Sequence, residues 1–246
     1  MTTVLKLGGS IITDKQAVEV VDEASLSVLA DDVAAAAGPL IIVHGGGSFG
    51  HHHAAAHGVS TTTGTTDPTA IAAIHGAMRR LNAVVVDRLL SVGVPAVPMA
   101  PIGFAHRAAD AELHIATGPL AAAVERGFVP VCFGDVIIDA DVGATILGGD
   151  RLVTAIAQQL DADRVGLCGD VPGVLDADGA VIERITSFDA VADSLRSSAV
   201  TDVTGGMAAK VREMLAVGRP VRIFGPTALS GFLAGEAVGT LIDGAG

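Results

Sequence analysis

The chain has 246 residues, half of them hydrophobic, and a formal net charge of −12 at pH 7. This length is enough for one large domain with a well-buried core. The acidic charge argues against a nucleic-acid binder and against a protein that binds anionic membranes, because both need a cationic surface.

Short apolar runs that end at Gly, Pro or His alternate along the chain with longer helical patterns. Such runs are typical of parallel strands that are buried on both faces of a sheet. In chain order we predict strands at residues 4–7 and 40–43, a helix at 70–90, strands at 94–98 and 129–133, a helix at 151–160, a strand at 165–168, a helix at 207–217, and strands at 221–224 and 241–242. Strands that alternate with helices predict an α/β fold with a mainly parallel sheet.

The remaining segments give no sign of export or of a membrane anchor. No run approaches about 20 uninterrupted apolar residues, the length that spans a bilayer. The N-terminus enters a strand-like run at once, so no secretory signal is expected. Cys132 and Cys168 lie in apolar runs and are expected to be buried free thiols. These features together predict a cytoplasmic protein.

Lysine is rare in this chain, and its positions are informative. The three lysines, Lys6, Lys15 and Lys210, all lie in or beside glycine-rich or turn-forming segments, whereas the other twelve cationic side chains are arginines. A lysine ammonium is a compact, mobile point charge that can follow a phosphoryl group, while arginine makes a rigid planar fork. The positions therefore favour a phosphate-handling site, the alternative being that they arose by chance in a glycine-rich chain.

Glycines follow the predicted strands at the points where ligands bind to parallel sheets. Ligands of such folds lie beyond the carboxyl ends of the strands, and a glycine turn before a helix exposes backbone N–H groups to an anion. The relevant glycines are Gly8 and Gly9, Gly45 to Gly47, Gly134, and Gly169, and Gly205 and Gly206 precede Lys210. None of these loops has the Walker A or the G-x-G-x-x-G spacing.

The histidine run His51 to His53, with His57 close behind, has more than one interpretation. Three histidines can bind zinc, but neighbouring histidines on one element point in different directions, and no Cys or carboxylate lies among them. We favour a phosphate-binding role for His51 and a helix-surface position for the other three. His44 is expected to end its strand and to form local hydrogen bonds.

Several other polar segments carry less specific expectations. Asp135 and Asp150 could be helix N-caps or turn formers, and for Asp150 a catalytic role is as plausible as capping. The polar segment 60–68 is expected to be a surface loop, either plain or acting as a lid. The stripe of Ile74, Met78 and Leu81 is expected to be core, with a substrate-lining role as the alternative.

Taken together, the motifs resemble the amino acid kinase family. The segments that carry the resemblance occur in the family's order and cover nearly the whole chain: 6–10, 44–51, 134–136, 148–150, 169–173 and 201–206. Within the family, residues 11–15 and 48–51 are similar to the members that phosphorylate isopentenyl phosphate with ATP. That resemblance rests mainly on Lys15 and His51.

The resemblance implies a fold, an activity and a set of site residues. The fold would be an open three-layer αβα sandwich, a homodimer in most members, in which residues 1–145 bind the phosphoryl acceptor and residues 146–246 bind ATP. The implied catalytic residues are Lys6, Lys15 and His51. The implied substrate-binding residues are Gly46, His51 and Gly149. The implied ATP-binding residues are Lys6, Leu7, Gly8, Gly9, Ser10, Gly47, Asp170, Gly206 and Lys210.

The resemblance also bears on the metal and on alternative activities. Mg²⁺ would bridge the ATP phosphates and need few protein ligands. Gly169 stands where many family members have Thr or Ser, so a hydroxyl contact near the nucleotide is expected to be missing. A related kinase for another small phosphate or phosphonate would keep His51 and change the pocket. A non-catalytic nucleotide-binding regulatory protein is a further alternative on the same fold.

Overall fold

A central sheet of eight strands runs through the protein, which the computed structural model describes over residues 1–192, 195 and 206–244. Its strands are β1 (Thr3–Leu7), β2 (Leu40–His44), β3 (Ala96–Pro98), β6 (Val129–Phe133), β9 (Arg164–Cys168), β10 (Arg184–Ile185), β11 (Val221–Phe224) and β12 (Thr240–Ile242). Every predicted strand is confirmed, with ends that move by two residues or fewer.

The strand order is β10-β12-β11-β9-β1-β2-β6-β3, and every neighbouring pair is parallel except β11 with β12. The register brings the strand ends level, because Leu7 lies opposite both His44 and Cys168. The loops that follow β1, β2 and β9 therefore leave the sheet at the same edge, where ligands of parallel sheets bind.

Helices cover both faces of this sheet. They are α1 (Glu23–Ala34), α2 (Gly47–Ala56), α3 (Pro68–Ser91), α4 (Gly118–Glu125), α5 (Gly149–Gln159), α6 (Gly206–Leu215) and α7 (Leu229–Ala234). The side chains of β1 alternate between the two faces, as a strand requires. Val4 packs in the core cluster with α4, α5 and α6, whereas Leu5 and Leu7 pack in the cluster with α1, α3 and α7. The three-layer αβα sandwich is confirmed.

A second, smaller sheet was not predicted. It contains β4 (Ala105–Arg107), β5 (Leu113–Ile115), β7 (Asp135–Asp139) and β8 (Gly143–Leu147) in the order β5-β4-β7-β8. Two of these strands have three residues, too short for a period-two pattern to stand out. The interpretation of Asp135 as a cap or turn residue is wrong, because Asp135 is the buried first residue of β7.

The polar segment 60–68 runs along the edge of this small sheet. The Thr65 amide donates to the Ala144 carbonyl of β8 (2.9 Å), and the Ile146 amide donates to the Ser60 carbonyl (3.0 Å). The Ser60 hydroxyl accepts from the amides of Thr62 and Thr63. The segment is therefore a surface loop fastened at both ends, and its lid role stays a prediction.

The predicted helices are present with small changes at their ends, and the bounds of α1, α2, α4 and α7 were not predicted. In the part of the chain that the structure describes, no helix is long and apolar enough to cross a membrane. Cys132 and Cys168 are buried free thiols, as expected.

Candidate active site

Two glycine loops meet backbone to backbone at the carboxyl edge of the central sheet. A Cβ on Gly9 would lie 2.1 Å from the amide nitrogen of Gly47, and a Cβ on Gly45 would lie 2.5 Å from the amide nitrogen of Gly9. No side chain fits in these two places, since real Cβ atoms do not approach so closely. The loop after β1 and the loop after β2 thus form one continuous backbone surface.

Thr13 ties these loops together, and sequence reasoning missed it. Its buried hydroxyl donates to the Gly9 carbonyl (2.8 Å) and accepts from the Ser48 amide in the first turn of α2 (3.0 Å). Gly47 has φ +48, and a Cβ there would lie 2.1 Å from the Thr13 hydroxyl oxygen. Gly47 is therefore required by both its backbone conformation and its neighbour.

Three helix starts at this edge have glycine caps and no side-chain cap. The short 3₁₀ helix after β1 begins after Gly8, α2 begins after Gly46, and α5 begins after Gly148. Helices α1 and α3 are instead capped by the carboxylates of Asp22 and Asp67, although α4 also lacks a side-chain cap. Uncapped helix starts offer backbone N–H groups and a positive dipole end to an anion.

Lys6 lies at the centre of this edge, paired with Asp150. Its ammonium is 2.5 Å from the Asp150 carboxylate, and a Cβ on Gly149 would lie 3.2 Å from its Cε atom. Burial lowers the pKa of Lys6; the Asp150 carboxylate opposes that shift, and the positive charge of Lys210 adds to it. Asp150 lies in the first turn of α5, but Gly148 is the cap residue. Asp150 is thus an ion-pair partner of Lys6, not a helix cap.

The other two lysines reach the same region from different parts of the chain. Lys15 forms a salt bridge with Asp170, which follows β9. The hydrogen bond from Lys15 lowers the pKa of Asp170, and the charge of Lys210 lowers it further. The charge of Lys210 reaches both Lys6 and Asp170, so the three lysines lie in one region of the protein. Their role in handling phosphate stays a prediction.

Glu213 is an additional carboxylate at this site that the sequence did not suggest. It lies on α6, one turn after Lys210. Burial raises the pKa of Glu213, and the negative charge of Asp150 raises it further. Of the motif at residues 201–206, only Gly206 lies within the described residues; it starts α6 with φ +68.

The histidine run occupies the middle of α2 and does not form a metal site among the residues that the structure describes. His51, His52 and His57 are exposed, and His53 pairs with Glu19 at 2.6 Å. The described residues bring potential metal ligands together only at the exposed Asp110, Glu112 and His114. The helix-surface interpretation of His52 and His57 is confirmed, and the phosphate role of His51 stays a prediction.

His44 ends β2 and forms local hydrogen bonds, as expected. Its fully buried ring makes contacts from Nδ1 to the Gly45 carbonyl (3.0 Å) and from Nε2 to the Asn82 side-chain oxygen (3.2 Å). Burial lowers the pKa of His44 to about 4. The ring is therefore neutral at physiological pH, and it positions the glycine loop that follows β2.

The depressed pKa of His44 predicts a specific loss of stability in acid. Between its unfolded pKa of 6.5 and its folded pKa of about 4, the unfolded chain takes up a proton that the folded protein excludes. The contribution of neutral His44 is complete above pH 6.5 and falls by about 3 kcal/mol by pH 4. In urea unfolding, the stability gap between wild type and His44→Gln should narrow as the pH falls.

The exposed His57→Gln variant is the control for this titration and should follow wild type at every pH. A gap between wild type and His44→Gln that stays constant from pH 7.5 to 4.5 would contradict the assignment.

A second set of polar side chains, which was not predicted, lies near the glycine loops at the carboxyl edge of the central sheet. The His75 ring nitrogen Nδ1 is 2.9 Å from the buried carboxylate of Asp135. Burial raises the pKa of Asp135, and the hydrogen bond from His75 opposes that shift. The Phe133 ring stacks between His75 and His44, with ring centroids 6.5 and 5.5 Å apart. His75 and Asp135 are 60 positions apart in sequence, so no local pattern could reveal this pair.

Aliphatic side chains pack beside the glycine loop after β2. The Met78 sulfur would lie 3.3 Å from a Cβ on Gly46 and 2.8 Å from one on Gly50. Ile74 belongs to a small apolar cluster with Val59, Val136 and Ala144. The stripe of Ile74, Met78 and Leu81 is buried, so the core interpretation is confirmed.

An α/β sheet with uncapped helix starts and lysines at one edge is suited to binding phosphates, and similarity to known proteins shows that the chain is a kinase. The chain belongs to the amino acid kinase family, whose model matches residues 1–225. It is 55% identical to the isopentenyl phosphate kinase of Haloferax volcanii over 98% of each chain. It is 36% identical to the isopentenyl phosphate kinase of Methanothermobacter thermautotrophicus over 56% of this chain and 54% of that protein. An X-ray structure of isopentenyl phosphate kinase matches with a TM-score of 0.83 at 30% identity, covering 98% of this chain and all of that one.

Proposed function

We propose that this chain transfers the γ-phosphoryl group of ATP to isopentenyl phosphate and so makes isopentenyl diphosphate. The observation that carries the chemistry is the convergence of Lys6, Lys15 and Lys210 on one glycine-lined edge. The choice of acceptor is supported by the 55% identity to the Haloferax isopentenyl phosphate kinase over nearly the full length of both chains.

The chemistry requires charge neutralisation more than proton transfer. Phosphoryl transfer has a loose transition state, and an acceptor that is already a phosphate needs no general base. Two like charges about 4 Å apart repel by roughly 4 kcal/mol at an effective dielectric near 20. Lysines and backbone N–H groups that are fixed before the substrates arrive offset this repulsion without reorganising.

We assign roles by position around the edge. Lys6 contacts the phosphoryl group in transfer, supported by the glycine loop of Leu7 to Ser10, and Asp150 holds its ammonium in place. Lys15 stabilises the transition state and is held by Asp170 until substrates bind. Gly206, at the start of α6, and Lys210 bind the nucleotide phosphates.

We assign the acceptor phosphate to the side of the carboxyl edge that lies away from the ATP-binding residues. Gly46 and Gly47, at the start of α2, and Gly149, at the start of α5, offer backbone N–H groups there. His51 follows on α2 and donates a hydrogen bond to the phosphates. The five-carbon tail then lies toward Ile74 and its cluster, which is aliphatic throughout.

The sheet order supports this division of the chain. Strands from residues 1–145 lie on one side of β1 in the order β2-β6-β3, and strands from residues 146–246 lie on the other in the order β9-β11-β12-β10. The two substrates would therefore meet over the end of β1, where Lys6 lies.

Mg²⁺ would be held mainly by the ATP phosphates and water and would need few protein ligands. The carboxylates of Asp150 and Asp170 are paired with Lys6 and Lys15, and the described residues do not gather three carboxylates at this edge. When bound, the ion neutralises negative charge on the phosphates. We also propose a homodimer in the cytoplasm, in keeping with the family; sedimentation of the purified protein tests the dimer.

A coupled assay of ADP release tests the proposed function directly. The panel contains isopentenyl phosphate, dimethylallyl phosphate, fosfomycin, UMP, carbamate and N-acetylglutamate, and turnover should be fastest with isopentenyl phosphate. Turnover only with fosfomycin or UMP would favour a related phosphate or phosphonate kinase. ATP binding without turnover on any acceptor would favour a regulatory protein.

The assignment of His51 predicts a loss of activity without a loss of stability. His51→Ala should lower kcat about a hundredfold, the usual effect of removing one preorganised hydrogen-bond donor. Because His51 is exposed, the free energy of unfolding should change by less than about 0.5 kcal/mol. His52→Ala removes the neighbouring exposed imidazole and is the control. Equal activities in the two variants would remove His51 from the mechanism.

A further inference from the structure

The segment that carries Lys15 is a narrow loop whose tip lies outside the core. We call residues 12–22 the Lys15 loop. Its two arms are joined by an antiparallel bridge between Thr13 and Val21, and the Asp14 amide donates to the Val20 carbonyl (3.0 Å). At its tip Asp14, Lys15 and Gln16 are all exposed. Core packing therefore does not fix the position of Lys15.

The salt bridge between Lys15 and Asp170 at the tip of the loop cannot fix the position of Lys15 either. The Lys15 side chain is 62% exposed and its partner Asp170 is 49% exposed. Ion pairs between groups as exposed as these contribute little, because water and salt screen them. Thr13 holds the outgoing arm through its hydrogen bonds to Gly9 and Ser48, and the returning arm supplies a second restraint.

Glu19, on the returning arm, has an unusual backbone conformation. Its φ is +54, in the left-handed region that residues with a side chain rarely adopt. Such a conformation persists only where surrounding contacts enforce it, and it often marks a functional segment.

The Glu19 side chain supplies those contacts by joining two helices. Arg80 of α3 donates to both carboxylate oxygens, from Nη2 at 2.6 Å and from Nε at 3.0 Å. His53 of α2 lies 2.6 Å away through Nε2. The hydrogen bonds from Arg80 and then His53 lower the pKa of Glu19. The side chains of Glu19 and His53 are 25% and 23% exposed, whereas Arg80 is 56% exposed, so the Glu19 carboxylate is shielded better than that of Asp170 at 49%.

We propose that Glu19 is a positioning residue for Lys15: by binding Arg80 and His53 it fastens the Lys15 loop to the two helices beside the acceptor site. The proposal rests on the proposed function, because Lys15 is taken as the transition-state cation. It also connects the loop to His51, which lies two residues before His53 on α2.

A double-mutant cycle separates positioning from a general structural role. Glu19→Ala should lower kcat tenfold or more and change the KM for ATP less than threefold. In a Lys15→Ala background the same change should lower kcat less than twofold, because Glu19 acts through Lys15. Glu19→Gln keeps an oxygen acceptor and should recover part of the loss. Additive losses in the double variant would overturn the proposal.

Hydrogen exchange tests the restraint without any need for activity. In Glu19→Ala, the amides of residues 14–18 should exchange at least tenfold faster than in wild type. The matched control is Asp243→Ala, which breaks the Arg184–Asp243 pair (2.6 Å) on the far strands of the sheet and should leave exchange and kcat unchanged. Unchanged exchange in Glu19→Ala would refute the restraint.

Kinetics and hydrogen exchange together distinguish a failure of the proposed function from a failure of the Glu19 proposal. If wild type phosphorylates no acceptor in the panel, the proposed function is wrong, while the exchange experiment still decides whether Glu19 holds the loop. If Glu19→Ala does not fold, Arg80→Ala removes the same contact from the α3 side and must give the same faster exchange. Arg80→Ala with wild-type exchange would overturn the proposal.

Discussion

Replacing Lys6 with methionine is expected to lower kcat by about a thousandfold, the scale of losing a fixed cation at a phosphoryl group in transfer. Methionine fills a similar volume but carries no charge. The Lys6 ammonium lies 2.5 Å from Asp150 and at the meeting point of the glycine loops.

The same variant should remain folded. Removing the buried ammonium relieves the cost of its burial, which is the main reason its pKa is lowered, but leaves Asp150 without its partner. Because Asp150 is 29% exposed and water can solvate its carboxylate, we expect a loss of about 2 kcal/mol, below the roughly 3–5 kcal/mol of a fully buried pair. The measurements are steady-state kinetics and urea unfolding.

Arg184→Met is the control for Lys6→Met, because it removes a cation from an exposed pair on β10 and should leave kcat unchanged. A Lys6→Met enzyme within tenfold of wild type would show that the central cation is not needed for transfer.

Gly9→Ala is the second substitution for which we expect a large effect, and this effect arises from backbone contacts. The new methyl group would lie 2.1 Å from the Gly47 amide nitrogen and 2.6 Å from the Gly47 Cα atom. Both contacts are with backbone atoms, so no side-chain rotation can relieve them. The loops after β1 and β2 must therefore move apart. We expect about 3 kcal/mol of destabilisation. A shift of about 1 Å in the phosphate-binding loops should lower kcat about a hundredfold.

Gly103→Ala tests whether this effect is specific to the glycine edge. A Cβ on Gly103 meets no atom within 4 Å, so this variant should match wild type in thermal unfolding and in activity. If Gly9→Ala also unfolds and turns over like wild type, the close approach of the two loops is wrong.

Local sequence pattern determined the architecture and the general place of the site. Strands such as 40–43 and 129–133 are short apolar runs typical of a sheet that is buried on both faces, so their pattern can be read without the fold. The glycines after β1, β2 and β9 predicted that these loops meet at one edge of the sheet, because strand polarity fixes where the loops lie. The rarity of lysine then indicated which cations belong to that edge.

The partners of those cations depended on the tertiary structure. Lys6 meets Asp150 across 144 residues, and Lys15 meets Asp170 across 155. Nothing in a local pattern ranks one of the chain's 27 acidic residues above another at such separations. The buried His75–Asp135 pair and the bridging hydroxyl of Thr13 escaped prediction for the same reason, as did the anchoring of Glu19 to two helices. Periodicity reports which face of an element is buried, whereas the pairing of polar groups follows from how distant elements pack.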